Sequence, residues 1–411
     1  MTCTAAYRPL MCPAVLALAV SATVFATAAH ADALGDAIAK GKSAIELRYR
    51  FENVDQDGMA SEANASTLRT RVRYATAEWM QMSAMLEMDN ISRLGDDRYN
   101  DNRNGKTTYP IVVDPDGTDL NQALLKYMGL PNTAITLGRQ RLNLDNQRFI
   151  GSVGWRQNEQ TLDAAVVEFK GIDRLTATWG FVSSVQRIWG PDAGTPPPVL
   201  DGESHLLNVK YARGEPLTAI AYTYLLDFDN AAALSSKTVG LSLAGKLPAG
   251  DFKFGYTAEF AQQSDYADQP VSYDADYALA EIGFGKAPWE VQLGYELLGS
   301  DAGAAAVQTP LATLHKFQGW ADKFLATPAV GLIDTWLGGT VKLAGYGITL
   351  VAHQYEGDSN GADYGDEINV QIARTFAKRY TLTAKYADYS MGDVVAVKDT
   401  AKAWLMAEAK F

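Results

Sequence analysis

The feature that most constrains this chain is an alternation of apolar and polar residues at every second position, repeated along its length. Residues 44–52 set Ile45, Leu47, Tyr49 and Phe51 against Glu46, Arg48 and Arg50. Residues 68–74 set Leu68, Thr70, Val72 and Tyr74 against Arg69, Arg71 and Arg73. The last segment, 402–411, sets Ala403, Leu405, Ala407, Ala409 and Phe411 against Lys402, Trp404, Met406, Glu408 and Lys410, and ends on the aromatic. A period of two is the mark of a strand with two unlike faces. Such segments recur about 18 times, within the even strand numbers of bacterial barrels. The connections alternate in length: short at 131–132, 214–216 and 344–345, long at 90–120, 142–161 and 300–334. A soluble sandwich gives no reason for that alternation. The pattern predicts an all-β fold, a transmembrane antiparallel β-barrel with short periplasmic turns, long extracellular loops and both strand ends on the short-turn side.

The one long apolar run lies at the start. Residues 13–29 are rich in Ala, Val and Leu, Arg8 precedes them, and Ala29-His30-Ala31 fits a small-x-small cleavage site. The expected division is a signal peptide over 1–31, a short periplasmic linker over 32–42 and an outer-membrane barrel over 43–411. Cys3 and Cys12 both fall in the leader, which leaves the mature chain without a disulfide, a thiol nucleophile or a Cys-ligated metal. The formal net charge of −12 argues against a nucleic-acid partner. The run Asp114-Pro-Asp-Gly-Thr-Asp119 lacks the Glu that closes a calcium loop and reads as a solvated turn. No motif calls for a metal or a cofactor, and none supplies catalytic residues. Two rivals to a channel remain at this level. A barrel hydrolase would need His205 or His353 to meet Ser and an acid on one rim. A structural barrel would bind a partner through its loops.

Three stretches carry candidate functional residues. Arg48, Arg50, Arg69, Arg71 and Arg73 form a basic ladder on the inward face of the first two strands, with Glu46, Glu87 and Asp89 as candidate partners. The ladder is either an anion-attracting strip on a pore wall or a salt-bridged scaffold. Parity fixes its direction, because a charge on the lipid face costs roughly 2–4 kcal/mol at the midplane. Residues 142–161 crowd amides and charges, among them Arg148, Arg156, Gln157, Asn158 and Gln160. That density suits a segment folded inward as a constriction, with an outer loop as the alternative. Residues 309–334 place Leu314, Phe317, Ala321, Phe324 and Leu325 at helical spacing and predict a short amphipathic helix that narrows the lumen with His315, Lys316, Trp320 and Asp322. In residues 134–141, Ile135 and Leu137 share parity with Arg139 and Arg141, which predicts a bulge at Gly138.

Residues 109–127 (YPIVVDPDGTDLNQALLKY), 138–164 (GRQRLNLDNQRFIGSVGWRQNEQTLDA) and 315–328 (HKFQGWADKFLATP) resemble the alginate-export-like family of outer-membrane porins, and the likeness extends from Leu47-Arg-Tyr-Arg onward. The resemblance implies an 18-stranded barrel and a passive export or diffusion channel for small hydrophilic solutes, sugar acids and oligosaccharides among them. The implied partners are outer-membrane lipids, those solutes, and the outer-membrane assembly machinery acting on the C-terminal strand, with Phe411 as the barrel-closing residue. The later strands are poor in inward Arg and rich in Gly, Thr and Ser, unlike the arginine- and lysine-lined pore of the alginate exporter.

Overall fold

The computed structural model describes residues 28–95 and 97–411. The leader expected over 1–31 lies outside the described residues except for its last four, which open a helix, α1 (Ala28–Ala39). The linker is thus largely helical, and the barrel starts at Lys42.

Eighteen strands follow in chain order: β1 (Lys42–Gln56), β2 (Ala63–Ala75), β3 (Met82–Arg93), β4 (Gly117–Leu130), β5 (Thr133–Gln140), β6 (Thr161–Ile172), β7 (Leu175–Gln186), β8 (Val199–Ala212) and β9 (Thr218–Leu226) make the first half. The second half is β10 (Ser236–Ala249), β11 (Phe252–Ser264), β12 (Asp274–Lys286), β13 (Trp289–Leu298), β14 (Leu332–Leu343), β15 (Tyr346–Glu356), β16 (Asp363–Phe376), β17 (Tyr380–Met391) and β18 (Thr400–Lys410). Each strand pairs antiparallel with the next, and β18 pairs with β1 from Glu46–Lys410 to Gln56–Thr400. The seam is finished by Phe411, whose N–H donates to the Ile45 carbonyl at 2.9 Å while Ile45 N–H donates back at 3.1 Å. The Phe411 ring meets Tyr380 edge-on.

Two solvents explain the alternation. On β16, Ile368 is 53% exposed between Glu367 at 1% and Asn369 at 0%. The exposed set, which includes Leu241, Leu293, Leu337, Leu350 and Leu405, forms an outward apolar belt. Tyr211, Trp289, Tyr346 and Tyr380 sit outward at the short-turn ends, where an interfacial girdle belongs. A closed sheet with such a belt leaves no backbone group unpaired in hydrocarbon, and the barrel is therefore built to span a lipid bilayer.

The short turns fall where expected. The connection between β1 and β2 spans only 57–62, because β1 runs on to Gln56 and β2 starts at Ala63. The bulge predicted at Gly138 is absent, since both neighbouring ladders pass it without a shift. Gly138 has φ of 108°, and a Cβ there would lie 2.3 Å from the Ala123 carbonyl oxygen. Arg139 keeps the outward parity of Ile135 and Leu137 and is neutralised on that face by Asp163, through hydrogen bonds of 2.8 and 2.9 Å. Register shifts lie elsewhere, among them Glu87–Met88, Asp163–Ala164 and Val182–Ser184. Gly138→Ala is expected to destabilise the barrel by about 1–3 kcal/mol through backbone strain. Reversible urea unfolding in lipid vesicles checks this, and an unmoved midpoint would show that β5 relaxes around the methyl group.

Candidate functional site

Inward strand faces are polar, but the outer half of the lumen is not empty. Three long connections turn into it: 94–116, 141–160 and 299–331. Phe149, Ile150, Leu311 and Phe324 from these loops pack on inward Leu162, Tyr222, Tyr277, Tyr355 and Trp404 in one buried cluster. The two larger loops also bond to each other. Gly151 N–H donates to Leu311 O at 2.8 Å, Thr313 N–H to Gln147 O at 3.1 Å, and the Gln160 amide to Leu311 O at 3.0 Å.

The arginine ladder faces inward, yet loop 141–160 lies between it and open water. Arg48, Arg50, Arg69 and Arg71 are buried, and only Arg73, nearer the periplasmic end, is exposed. Arg48 donates to the carbonyls of Gly154 and Trp155 at 3.0 and 2.9 Å and pairs with Glu408 at 2.9 Å. Arg50 donates to Trp155 O and pairs with Asp114 at 3.1 Å. Arg69 pairs with Glu46 and reaches Gln157 O. Arg71 takes Asp89 through two bonds of 2.7 and 2.6 Å and Glu159 at 2.9 Å. A buried guanidinium is tolerable only when its donors are met. Here three strand carboxylates, two loop carboxylates and the loop backbone together meet most of them. The ladder therefore acts on the loop that covers it, and a direct solute-facing strip of four arginines is not what the fold builds.

Asp114 was read from sequence as part of a solvated turn. It is fully buried, and besides Arg50 it accepts from Gln157 N–H at 2.9 Å. Its neighbour Asp116 pairs with Arg93 at 2.9 Å. Among the described residues no group of acidic, His or Cys side chains is arranged to hold a metal ion.

The other constriction candidates divide by depth. Gln157, Asn158 and Gln160 are buried and spend their amides on Thr67, Pro115 and Leu311. Arg148 crosses the lumen to Glu296 on β13 at 2.8 Å, with its guanidinium over the Phe317 ring. Arg156 is clamped between Glu52 and Asp322, each at 3.0 Å. Loop 141–160 is thus tied to both walls: to β1 and β2 on one side, to β13 on the other.

The helix expected over 309–334 is reduced to one turn of 3-10 helix at Leu314–Lys316. Gln318, Gly319 and Asp322 have positive φ, and the N–H groups of Trp320 and Ala321 donate to Glu367 of β16 instead of to a preceding turn. Asp322 binds His315 Nδ1 at 2.7 Å and both Arg156 and Lys402 at 3.0 Å. Burial would raise its pKa, but His315, Lys402 and Arg156 together hold it well below the usual range. His315 stacks on Trp155 at 4.2 Å, and its Nε2 lies 2.6 Å from Lys385 Nζ. Lys385 is boxed by Trp155 and Trp320, 4.2 and 3.7 Å from their ring centroids. Sequence reading passed over Lys385; its signal is inward parity in β17, where a lone lysine must find partners.

Beneath the loops lies a cavity of about 1160 Å³. Of the predicted residues, His315, Lys316 and Trp320 line it; Lys316 is the exposed one, bonded only to Asn146 O at 2.8 Å. The hydrolase candidates do not meet. His353 faces inward on Asp334, whereas His205 lies on the outward face of β8 against Trp179 and Phe181.

Comparison with known proteins bears on these parts directly. The Alginate export family model matches residues 41–187, which hold the ladder and the loops 94–116 and 141–160. Over that part of the chain the sequence is similar to the alginate-export family. The match ends before loop 299–331, where the sequence reading had placed a third familiar stretch. No curated protein matches the sequence. Among solved structures the chain is similar in fold to OccAB4 of Acinetobacter baumannii, with 14% identity, a TM-score of 0.70 and coverage of 90% of this chain and 98% of that one. It is similar to OccK5 (OpdH) of Pseudomonas aeruginosa, at 13% identity, TM-score 0.68 and coverage of 91% and 99%. It is also similar to OpdK of the same organism, solved with vanillate, at 11% identity, TM-score 0.69 and coverage of 91% and 99%.

The clamp makes a pH prediction. Burial pushes Glu159 up, but Arg71 and Arg141 outweigh it and hold the carboxyl at about 2, against an ordinary 4.5. A depressed carboxylate contributes fully above the ordinary value, and the contribution is lost as pH falls through the folded value. Current noise from a moving loop is expected to rise in the porin between about pH 4.5 and 2. In Glu159→Gln it should be high already at pH 7. A quiet variant at neutral pH would show that Glu159 does not hold the loop.

Proposed function

We propose that this porin is a passive channel for small hydrophilic solutes, anionic ones such as sugar acids among them. One observation carries the reading: two bonded inward loops narrow the barrel above a cavity lined by charged, polar and aromatic side chains instead of filling it from rim to rim. A barrel that served only as a scaffold for its loops would have no need of a hydrated interior. The alginate-export match and the likeness to OpdK, solved with vanillate, support anionic solutes. With the ladder sequestered, any attraction of anions falls to Lys316 on the cavity wall rather than to Arg48, Arg50, Arg69 and Arg71. His315, Trp320 and Asp322 hold the loop that presents Lys316 and so set the narrow point.

The same proposal gives Phe411 a role in assembly. Its ring is exposed at the end of β18, where the assembly machinery can take hold of the strand that must close on β1.

Planar-bilayer conductance tests the channel. With both native cysteines in the expected leader, Lys316→Cys offers a single thiol. A bulky thiol reagent is expected to lower its conductance, while Gln157→Cys, buried under the ladder, should resist the same reagent. Unchanged current through modified Lys316→Cys would place the narrow point elsewhere. Deleting Phe411 is expected to lower the yield of heat-modifiable barrel in the outer membrane. Normal assembly of the truncated chain would remove the terminal residue from that role.

A further inference from the structure

Charged side chains on the cavity wall can act on a solute only if they are not already paired. Asp145 is held by Lys210 at 3.0 Å, Glu296 by Arg148 at 2.8 Å and Asp334 by His353 at 2.9 Å. Lys385 is spent on His315, and Glu259 accepts from the Tyr222 hydroxyl at 2.6 Å. Glu259 and Lys385 are also buried, so two opposite charges remain that are neither buried nor ion-paired, Lys316 on the inward loop and Glu281 on β12.

Neither has an ion-pair partner among the described residues. The Lys316 ammonium rests on a backbone carbonyl, and Glu281 has only the Gln292 amide beside it. The two stand too far apart to bond each other, yet each is within the other's field, Glu281 being the charge that offsets the burial of Lys316. Phe317 and Trp336 flank the same cavity with apolar rings. An ammonium and a carboxylate held apart in part-buried surroundings keep an unmet attraction, which water screens only in part.

We infer that this gap is a solute subsite for small zwitterions, which seat a carboxylate on Lys316 and an ammonium on Glu281. The inference rests on the channel reading and narrows its solute class, since a simple anion satisfies Lys316 but is repelled by Glu281. At about 1160 Å³ the cavity exceeds the ~300–1,000 Å³ of an enclosed small-molecule pocket, so the solute is held at one edge with water around it. Retention is weak, as passage requires.

Proteoliposome uptake of four probes tests this: γ-aminobutyrate, butyrate, butylammonium and the neutral sugar arabinose. With two part-exposed charge contacts, γ-aminobutyrate is expected to enter about tenfold faster at low concentration than either singly charged analogue. Glu281→Gln should remove the lead over butyrate, and Lys316→Gln the lead over butylammonium. The exchange Glu281→Lys with Lys316→Glu, which reverses the dipole of the gap, should restore the preference for γ-aminobutyrate. Arabinose uptake separates the two levels of the argument. If arabinose does not enter, the channel reading itself fails. If arabinose enters and the three charged probes cross at equal rates in the wild-type porin, the channel stands and the zwitterion subsite is overturned, whatever the variants do.

Discussion

Four buried guanidiniums that strand carboxylates satisfy only in part are the constraint on which the lumen depends. Arg48, Arg50, Arg69 and Arg71 point inward because lipid forbids the other direction, and an inward arginine that is cut off from water must be met by oxygen. Glu46, Asp89 and Glu408 on the strands supply part of it, and the rest comes from a loop that is distant in sequence: the carbonyls of Gly154, Trp155 and Gln157 and the carboxylate of Glu159, with Asp114 from a second loop. Breaking a buried pair of this kind on one side costs about 3–5 kcal/mol. The ladder thus positions the loop, the loop presents Arg148 to Glu296 on the far wall, and the second loop packs on the first.

This arrangement separates foundation from contact. The ladder residues that hold the first loop are buried, neutralised by their partners and outside the solute's reach. The residues that face the cavity with charge to spare are few, and they hang from that foundation: Lys316 from a loop pinned by Asp322 and Glu367, Glu281 from the β12 wall. A net charge of −12 therefore says little about what the interior attracts, since inside the barrel most charges are already matched.

The barrel was legible in the sequence because two solvents impose opposite demands on successive residues, and eighteen repetitions of the demand leave no second interpretation. Parity also told correctly which way the arginines point. It could not tell what lies beyond them, because the covering loop is joined to the ladder by tertiary contacts that no periodicity records. Asp114 shows the same limit: beside Pro and Gly it looks like turn chemistry, and only the fold brings Arg50 to it. The apolar spacing of Leu314, Phe317, Ala321 and Phe324 was real, and Ala321 and Phe324 do reach the core. The spacing is not proof of a helix when Glu367 on β16 can take the N–H groups that helical bonds would otherwise satisfy. Gly138 misled in the opposite sense, since an outward arginine near a strand end needs only Asp163 to be tolerated.

The seam between β1 and β18 has a consequence for how such a chain can be made. Every other pairing joins strands that are neighbours in sequence, so the sheet can grow one hairpin at a time. The pairing that ends at Ile45 and Phe411 spans the whole barrel and must come last. Until then two full edges of N–H and C=O groups stay open, and an open edge in hydrocarbon is prohibitive. Entry into the bilayer and circularisation of the sheet are therefore one event, and its timing is set by the arrival of the eighteenth strand.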